Sequence, residues 1–482
     1  MKLGSAPLQN PMLIASIVAC AFFMEMLDST IIVTALPRMA IAFHATPIDL
    51  SLGITVYLLT LAILIPASGW ISDRFGARTV FCAAIAVFTL ASMLCGFSEN
   101  VGQFVGARIL QGLGGALMSP VGRLVLLRAT EKKDLVRVMN FVTLPGLIGP
   151  IIGPPVGGFI TTYLSWRYIF FLNLPIGILG MAMVLLLIRN FRDETKKPFD
   201  YVGFLLNGGA LCCVIYGMDL LGTHGSTWLG GVLVMLGLAI GFGAIRHAKR
   251  TEHPLVDLTA LRIHTFAVIN TGGAFFRIAI AAPTFLLPLL FQVGLGMTAF
   301  MSGLLILVHA IGDIGAKIGT TRGLRYFGFR TMLIWSTIIF ALSIAACAAF
   351  TASTPVVAIL VILFIGGVCR SLQMTSQTAL QFADIGPAEI TGASTLSSVL
   401  LQVIRAIGVG FAAVLLNVSL AFRGGQTLSM IDFRIALLVI AAVALLSLLW
   451  YLPLEHGAGA ELTGHDKKTG PVKQPSEAGA DD

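Results

Sequence analysis

Long apolar runs dominate this sequence and limit what it can fold into. Runs of about 20 apolar residues recur from Leu13 to Leu452, and each is long enough to cross roughly 30 Å of hydrocarbon as a helix. Because backbone groups in lipid must hydrogen-bond within their own segment, the runs predict helices. Only 11% of the residues are charged, against about 25% in an ordinary soluble domain. The chain is therefore predicted to be an all-α integral membrane protein.

The runs predict fourteen transmembrane helices. We place them at residues 12–37, 50–71, 79–97, 103–127, 138–163, 167–188, 200–221, 228–247, 266–291, 299–321, 331–350, 355–376, 391–418 and 433–453. Lys and Arg concentrate in alternate connecting segments, and positively charged loops stay in the cytoplasm. Both termini are therefore predicted to be cytoplasmic, in a bacterial-type inner (plasma) membrane. The first run carries Glu25 and Asp28 and is too long for a signal peptide, so it is expected to remain as a span.

A weak internal repeat divides the chain. The segment Gly69–Arg78 resembles Arg322–Arg330, and each connects two predicted spans. Repeat-built transporters place their substrate site between related halves, near the membrane midplane. We predict a cytoplasmic N-terminus (1–11), an N-terminal six-helix bundle (12–188), a linker with two extra transmembrane helices (189–265), a C-terminal six-helix bundle (266–453) and a disordered cytoplasmic tail (454–482).

Composition and motifs disfavour several other classes of protein. The seven cysteines lie in apolar runs without metal-ligand spacing, so neither a disulfide framework nor a zinc site is predicted. The net charge of +8 is mainly a signal of membrane orientation, which argues against nucleic-acid binding. No phosphate-binding loop, metal-ligand cluster or Ser-His-Asp arrangement is apparent in the spans, so an enzyme is not predicted.

Two acidic residues lie within the first predicted span. Glu25 and Asp28 are three residues apart and share a helix face. Ionisable groups within spans are costly and are functional candidates by default, and two carboxylates in a low dielectric repel each other, which favours proton uptake by one. We predict that they couple transport to protons, with Arg108 as their partner. Salt bridging, helix contact and cation recognition remain alternatives, as does snorkelling of Arg108 to the external surface.

Basic residues outnumber acids in the second-half spans. The predicted spans of the second half contain only one acid, Asp313, but four basic residues, which are Arg277, Lys317, Arg370 and Arg405. His309, Asp313 and Lys317 recur every four residues, so Asp313 is predicted to pair with Lys317. Arginine suits carboxylate or phosphate groups, so the remaining arginines, with His309 and Asp313, are predicted to bind an anionic solute. The arginines could instead pair with acids or carbonyls of the other half, or contact lipid.

Four motifs resemble those of the major facilitator superfamily. The loop Gly69–Arg78 resembles the signature that follows the second helix of that family, and Arg108–Gly115 resembles its fourth-helix motif. Gly146–Gly158 resembles the antiporter motif of the fifth helix, and Leu27–Pro37 resembles the first helix of the fourteen-span drug:proton antiporters of the EmrB and QacA type. The stretch Phe141–Gly146 is similar to the MdtD-like subgroup.

The resemblance implies a major facilitator fold, with two six-helix bundles and two inserted central helices. It also implies a conformational gate, formed by Gly69, Asp73, Arg74, Gly76 and Arg78 in the loop and by Gly149, Pro150, Gly153, Pro154 and Gly157 in the fifth helix. Simple helix packing is the alternative for the second set. The second-half loop departs from the pattern because Arg325 stands where the first copy has Asp73.

These features predict a proton-coupled antiporter that exports a small organic molecule, either an anion or an anionic metal chelate. Efflux of lipophilic cations is the alternative within transport, and a membrane receptor or scaffold with a transporter fold is an alternative of another class. No cofactor or metal is expected, since the proton-motive force supplies the energy. The expected partners are the small-molecule substrate, protons and membrane lipid, without nucleic acid; protein partners stay open.

Overall fold

A computed structural model of the chain describes residues 11–130, 135–188, 198–222, 227–252, 254–386, 389–425 and 427–454. The predicted N-terminal segment 1–11 and tail 454–482 lie almost wholly outside the described residues. Within the described ranges the chain is helical and contains no strand.

The first half of the chain forms six long helices. They are α1 (Pro11–Ile31), α2 (Pro47–Phe75), α3 (Ala77–Phe97), α4 (Val101–Ala129), α5 (Leu135–Tyr163) and α6 (Asn173–Leu187). Short helical turns at Ile32–Thr34, Leu36–Ala42 and Tyr168–Phe171 join them. Side-chain caps start two of the long helices: Thr46 and Asp49 form a capping box at α2, and Asn100 accepts the Gln103 N–H at α4.

The rest of the chain comprises a helical hairpin and a second set of helices. The hairpin is α7 (Tyr201–Gly222) and α8 (Thr227–Ala248). A short turn (Thr259–Arg262) leads to α9 (His264–Leu289), which continues as a π turn (Leu290–Gly294). The helical run Ala299–Cys347 is broken at Gly328, and we name its arms before and after that residue α10 and α11. The chain ends with α12 (Val356–Gln381), α13 (Ile390–Arg423), α14 (Met430–Leu446) and the turn Leu448–Tyr451.

The membrane-spanning character agrees with the prediction. Among the described residues, thirteen helical segments are long and apolar enough to cross a membrane. In addition to these thirteen, the 29-residue helix α5 lies at the position of the predicted fifth span. The predicted all-α integral membrane fold of about fourteen helices is therefore confirmed. The hairpin α7–α8 packs on itself and against α2 and α13.

The weak sequence repeat corresponds to repeated structure. Gly76 and Gly328 occupy equivalent places in the two copies, and both have positive φ angles, of 93° and 73°, which glycine adopts without strain. Two residues later, Arg78 donates a hydrogen bond to the carbonyl of Leu185, and Arg330 donates one to the carbonyl of Leu452. Each arginine thus ties the turn to the last long helix, or its extension, in its own half. We call the end of the bundle that carries these turns the Arg-rich end.

The two halves contact each other at the opposite end of the bundle. There the Gln292 side-chain amide donates to the carbonyl of Thr34 across 3.1 Å. The N–H of Phe300, at the start of α10, donates to Thr162 Oγ1 near the end of α5, also across 3.1 Å. These bonds join elements that are far apart in sequence, so they hold the halves together at this end.

Hydrogen bonds to Asp200 hold the hairpin at the Arg-rich end. Its Oδ1 accepts the Gly203 N–H and lies 2.8 Å from His247 Nε2 at the end of α8, and its Oδ2 accepts the Leu255 N–H. Burial opposes ionisation of Asp200, but these hydrogen bonds outweigh it and lower the pKa of the carboxyl below its usual value. The carboxylate therefore joins both ends of the hairpin to the segment that follows it.

Candidate transport site

A buried ion pair joins α1 to α4. Arg108 Nη1 lies 2.7 Å from Asp28 Oδ2, and both side chains are 1% exposed. The other carboxylate oxygen accepts hydrogen bonds from the amides of Gln111, at 2.8 Å, and Asn173, at 3.1 Å. Gln111 Oε1 in turn accepts a bond from Arg108. The structure thus brings together Asp28 and Arg108, as the sequence predicted, and adds two amides that sequence reasoning did not single out.

Further contacts fix the Arg108 guanidinium in this place. Its Nε donates to the carbonyl of Gly53 on α2, and its charged carbon lies 4.3 Å from the centroid of the Tyr57 ring. An aromatic face attracts a cation, most strongly where water is excluded. Of the three guanidinium nitrogens of Arg108, Nη2 has no hydrogen-bond partner in the described part of the chain. The predicted alternative of external snorkelling is wrong, because Arg108 is fully buried.

Glu25 occupies a different environment, one turn along α1 from Asp28. It is 4% exposed and accepts a short hydrogen bond from the Ser119 hydroxyl on α4. Two cations interact with it electrostatically: Arg123 of the same half and Arg405 of the other half. Arg123 is exposed and its guanidinium lies 5.5 Å from the Phe22 ring. A change in the charge of Glu25 therefore alters its electrostatic interaction with a cation in each half.

Arg277 is not the unpaired cation that the sequence predicted. It is 5% exposed on α9. Its guanidinium donates to the amide oxygens of Gln377, at 2.7 Å, and Gln381, at 3.0 Å, on α12, and to that of Asn270, at 3.4 Å. Neutral amides of its own half therefore satisfy Arg277, an arrangement that a search for charged partners could not find.

The predicted pairing of Asp313 with Lys317 is wrong. Asp313 Oδ2 lies 3.6 Å from Arg370 Nη1 on α12, with the side chains 25% and 30% exposed, while Lys317 is exposed. Spacing along one helix suggested Lys317, but α12 packs against α10 and presents a second cation. Arg370 Nε stays buried without a partner among the described residues. His309 lies one turn away, with its ring beside Gly366.

Arg405 on α13 interacts electrostatically with an acid of the other half, Glu25, but forms no ion pair among the residues that the structure describes. Its electrostatic partners are Glu25, which attracts it, and Arg370 and Arg277, which repel it. The three second-half arginines therefore occupy one electrostatic neighbourhood with three kinds of partner. Arg277 is hydrogen-bonded by amides, Arg370 pairs with Asp313, and Arg405 is attracted by a carboxylate across the interface between the halves.

The small residues of α5 lie against two different neighbours. A Cβ on Gly153 would lie 2.3 Å from Thr30 Oγ1, and one on Gly157 would lie 2.6 Å from the Ile31 carbonyl oxygen. The predicted stripe of Gly149, Gly153 and Gly157 thus packs on α1 within its own half, beside Pro150 and Pro154. Gly158 is different, because a Cβ there would lie 2.3 Å from the Ala299 carbonyl oxygen on α10 of the other half.

A second glycine completes this contact between halves. A Cβ on Gly303 of α10 would lie 2.3 Å from the carbonyl oxygen of Pro154. Sequence reasoning missed both Gly158 and Gly303 as functional candidates; the Gly157-Gly158 doublet was the only signal. In the predicted loop gate, Gly69 has open space beside it and Arg74 is exposed. Gly76 forms the turn, and Asp73 lies beside it on the last turn of α2.

Comparisons with known proteins agree with this architecture. A family model described as Major Facilitator Superfamily matches residues 18–409. A protein named "Putative multidrug resistance protein MdtD" from Pectobacterium atrosepticum is 36% identical over 406 residues, which covers 83% of this chain and 86% of that protein. A relative with the same name from Serratia proteamaculans is 37% identical over 412 residues, covering 83% and 84%.

Solved transporter structures share the fold. A bacterial homologue of the human lysosomal transporter Spinster superposes with a TM-score of 0.66 and 14% identity, covering 93% of this chain and 97% of that one. A D-xylose-proton symporter gives 0.64 and 14%, covering 93% and 98%. Identity this low shows the fold alone, whereas the family match and the MdtD-named relatives show descent. The chain is therefore a multi-pass membrane transporter rather than an enzyme, and it belongs to the Major Facilitator Superfamily, in the MdtD-like subgroup.

Proposed function

We propose that this transporter exports a small organic molecule from the cell in exchange for protons, with Glu25 as the residue that carries the proton. The observation that carries the proposal is the position of Glu25. It is a buried carboxylate on α1 with one direct hydrogen-bond donor among the described residues, Ser119, and it interacts electrostatically with Arg405 across the interface between the halves. The names of the MdtD-type relatives, which refer to multidrug resistance, support the export of an organic molecule.

The hydrogen bonds of the two acids separate their roles. A proton on Asp28 would compete for the carboxylate oxygens with three hydrogen-bond donors, which are Arg108, Gln111 and Asn173. Protonation of Glu25 requires only that the Ser119 hydroxyl rotate, because a hydroxyl can accept as well as donate. We therefore assign proton exchange to Glu25. Asp28 then acts with Arg108 as a rigid buried pair that positions α1 against α4.

A proton on Glu25 changes the attraction between the halves. The ionised carboxylate attracts Arg405 on α13, and protonation removes that attraction in a low dielectric. A substrate that donates hydrogen bonds to the ionised Glu25 competes with the proton for the same oxygens. Such competition is the simplest physical basis for exchange, because each ligand leaves before the other binds.

The contacts between the halves support a state that is open toward the Arg-rich end. Gly303 on α10 is buried against α5 near the opposite end. Ile314 and Lys317 continue the same face of α10 toward the Arg-rich end, yet Ile314 is 39% exposed and Lys317 is exposed. With the Arg-rich end and both termini on the cytoplasmic side, this state takes up substrate from the cytoplasm.

An anionic substrate is the second candidate, and one observation favours it. Arg370 Nε is buried without a partner in the described part of the chain, so an acceptor group on the substrate would satisfy it. The electrostatics make a distinct prediction for this case. An anion near Arg405 and Arg370 binds better once Glu25 is protonated, so anion and proton bind together instead of displacing each other.

The test is proton movement in proteoliposomes that hold the purified protein and an internal pH-sensitive dye. A panel of neutral hydrogen-bond donors, organic anions, metal chelates and lipophilic cations is added in turn. We expect substrate-driven proton flux that is lost in Glu25→Gln and retained in Glu99→Gln, which removes an exposed acid outside the spans. Flux that survives Glu25→Gln would refute the assignment.

The direction of the proton movement separates the two candidates. Exchange requires protons to move against the substrate, whereas an anion that binds together with the proton would carry it in the same direction. Loss of the response to anions alone in Arg370→Ala would establish the anionic candidate. A cation response that persists in Arg370→Ala would reject it.

A further inference from the structure

A cavity of about 120 Å³ lies where the inserted hairpin meets both halves. Residues of α2, α7 and α13 line it, including Asp49, Asp219 and Asn417. Asp49 belongs to the first turn of α2, and Asp219 and Asn417 belong to the last two turns of their helices. The cavity therefore extends inward from the end of the bundle opposite the Arg-rich end, as far as Ala406 near the middle of α13. Glu25 does not line it, although the lining residue Ala406 follows Arg405, the second-half cation that interacts with Glu25.

The charge in this cavity is unbalanced. Asp219 interacts electrostatically with Asp49, which has the same sign. One oxygen of Asp49, Oδ2, caps α2 by accepting the N–H and hydroxyl of Thr46, and the other oxygen has no bond in the structure as described. In that part of the chain, no Lys or Arg forms an ion pair with either acid. Two carboxylates that share a cavity without a cation repel each other, and a bound cation relieves that repulsion.

Two buried hydroxyls give an independent indication of a ligand. Ser51 is 2% exposed and Thr55 is 4% exposed, and both side chains line the cavity. Neither hydroxyl has a hydrogen-bond partner among the residues that the structure describes. Hydroxyls inside a helix commonly bond to the carbonyl one turn before, as Thr60 does to Val56. Buried polar groups are rarely left without a partner, so these two are suited to a ligand in the cavity.

Size and wall chemistry limit the ligand. An apolar cavity of about 150 Å³ admits benzene, so this slightly smaller one accepts a group of a few heavy atoms. Apolar side chains form much of the wall, among them Ile48, Leu52, Ile215, Met218 and Val414. We infer that the cavity binds a small organic cation, a methylated ammonium group, with Asp49 and Asp219 supplying the charge and the apolar wall contacting its methyl groups.

Because of the position of the site, cation binding is expected to favour one conformational state of the transporter. The cavity needs α2 of the first half, α13 of the second half and α7 of the hairpin together. Alternating access that opens this end must separate α2 from α13. A cation that binds only the assembled cavity therefore stabilises the state in which this end is closed. The inserted hairpin thereby gains a role as one wall of a cation site that controls the exit end.

The test is binding of tetramethylammonium to the purified full-length protein, measured by titration calorimetry, with tert-butanol as a neutral probe of similar shape. We expect saturable binding of the cation and none of the alcohol. Asp219→Asn removes one of the two charges and is expected to weaken binding by about tenfold or more, while Asp219→Glu retains binding. Asp49→Asn provides a second variant with the same expected direction.

Matched controls distinguish this site from others on the protein. Glu99→Gln removes an exposed acid outside the cavity and should leave the affinity unchanged. Glu389→Gln removes an exposed acid just before α13 and should also leave it unchanged. The inference is overturned if tetramethylammonium does not bind, if binding is equal in Asp219→Asn, or if Glu99→Gln weakens it as much as Asp219→Asn does. Because the readout is binding, failure of the proton-exchange proposal would not change it.

Discussion

Replacement of Gly158 by alanine tests how the two halves are held closed at the end opposite the Arg-rich turns. The added Cβ would lie 2.3 Å from the Ala299 carbonyl oxygen and 2.9 Å from Phe300 Cα, which are both backbone atoms. Ordinary contact begins at 3.4 Å, so α5 and α10 would have to separate by the difference between 3.4 and 2.3 Å, about 1.1 Å. No side chain can rotate to relieve this contact.

The cost follows from the rigidity of packed helices. Overpacking a tight contact costs about 1–3 kcal/mol. That cost applies only while this end is closed, because a state in which α5 and α10 part here accommodates the methyl group. A difference of 1–3 kcal/mol changes an equilibrium by about 5–150-fold. Gly158→Ala is therefore expected to raise the population open at this end by one to two orders of magnitude.

The assay is distance measurement by electron spin resonance between labels at Glu99 and Ala352, which are exposed on the two halves at this end. The labels are introduced after the seven native cysteines have been replaced. Gly146→Ala is the matched control on the same helix, because a Cβ there has nothing within 4 Å. An unchanged distance distribution in Gly158→Ala, or an equal change in Gly146→Ala, would refute the reasoning.

Four further predictions concern the charged groups. Asp28→Asn leaves Arg108 buried without its counter-charge, so thermal unfolding in detergent should show a loss of about 3–5 kcal/mol, partly restored by adding Arg108→Gln; an unchanged midpoint would contradict this. Glu25→Gln should unfold close to the wild-type temperature yet release no protons on substrate addition, and normal proton release would contradict the proton-site proposal. Because the pKa of Asp200 is lowered in the folded state, its stabilisation is present above the ordinary carboxyl pKa of about 3.9 and is lost as the pH falls through the lowered value. The protection of the hairpin's backbone amides against hydrogen exchange, relative to an unfolded chain at the same pH, should therefore decrease on acidification below about pH 4. His247→Ala should increase exchange at neutral pH by removing one hydrogen bond to Asp200, and equal protection in the variant would show that the bond contributes nothing.

The sequence alone determined the class of fold, the approximate positions of the helices and the repeat. Apolar runs specify helices because lipid offers the backbone no hydrogen-bond partner outside the segment. This holds whatever other helices pack beside the run. The equivalence of Gly76 and Gly328 was readable for a similar reason, since a tight turn at each position requires a positive φ. The pairing of Arg108 with an acid of α1 was also predictable, because a buried arginine needs a counter-charge and few acids were near.

Only the tertiary structure decided how the remaining charges are satisfied. Asp313 pairs with Arg370 instead of Lys317, and Arg277 is bound by amides, because the partners come from α12, whose approach no helical spacing encodes. The same holds for Gly158, whose neighbour on α10 is more than a hundred residues away in the chain. Local periodicity determines which face of a helix a residue occupies, whereas the packing of distant helices determines what that face meets.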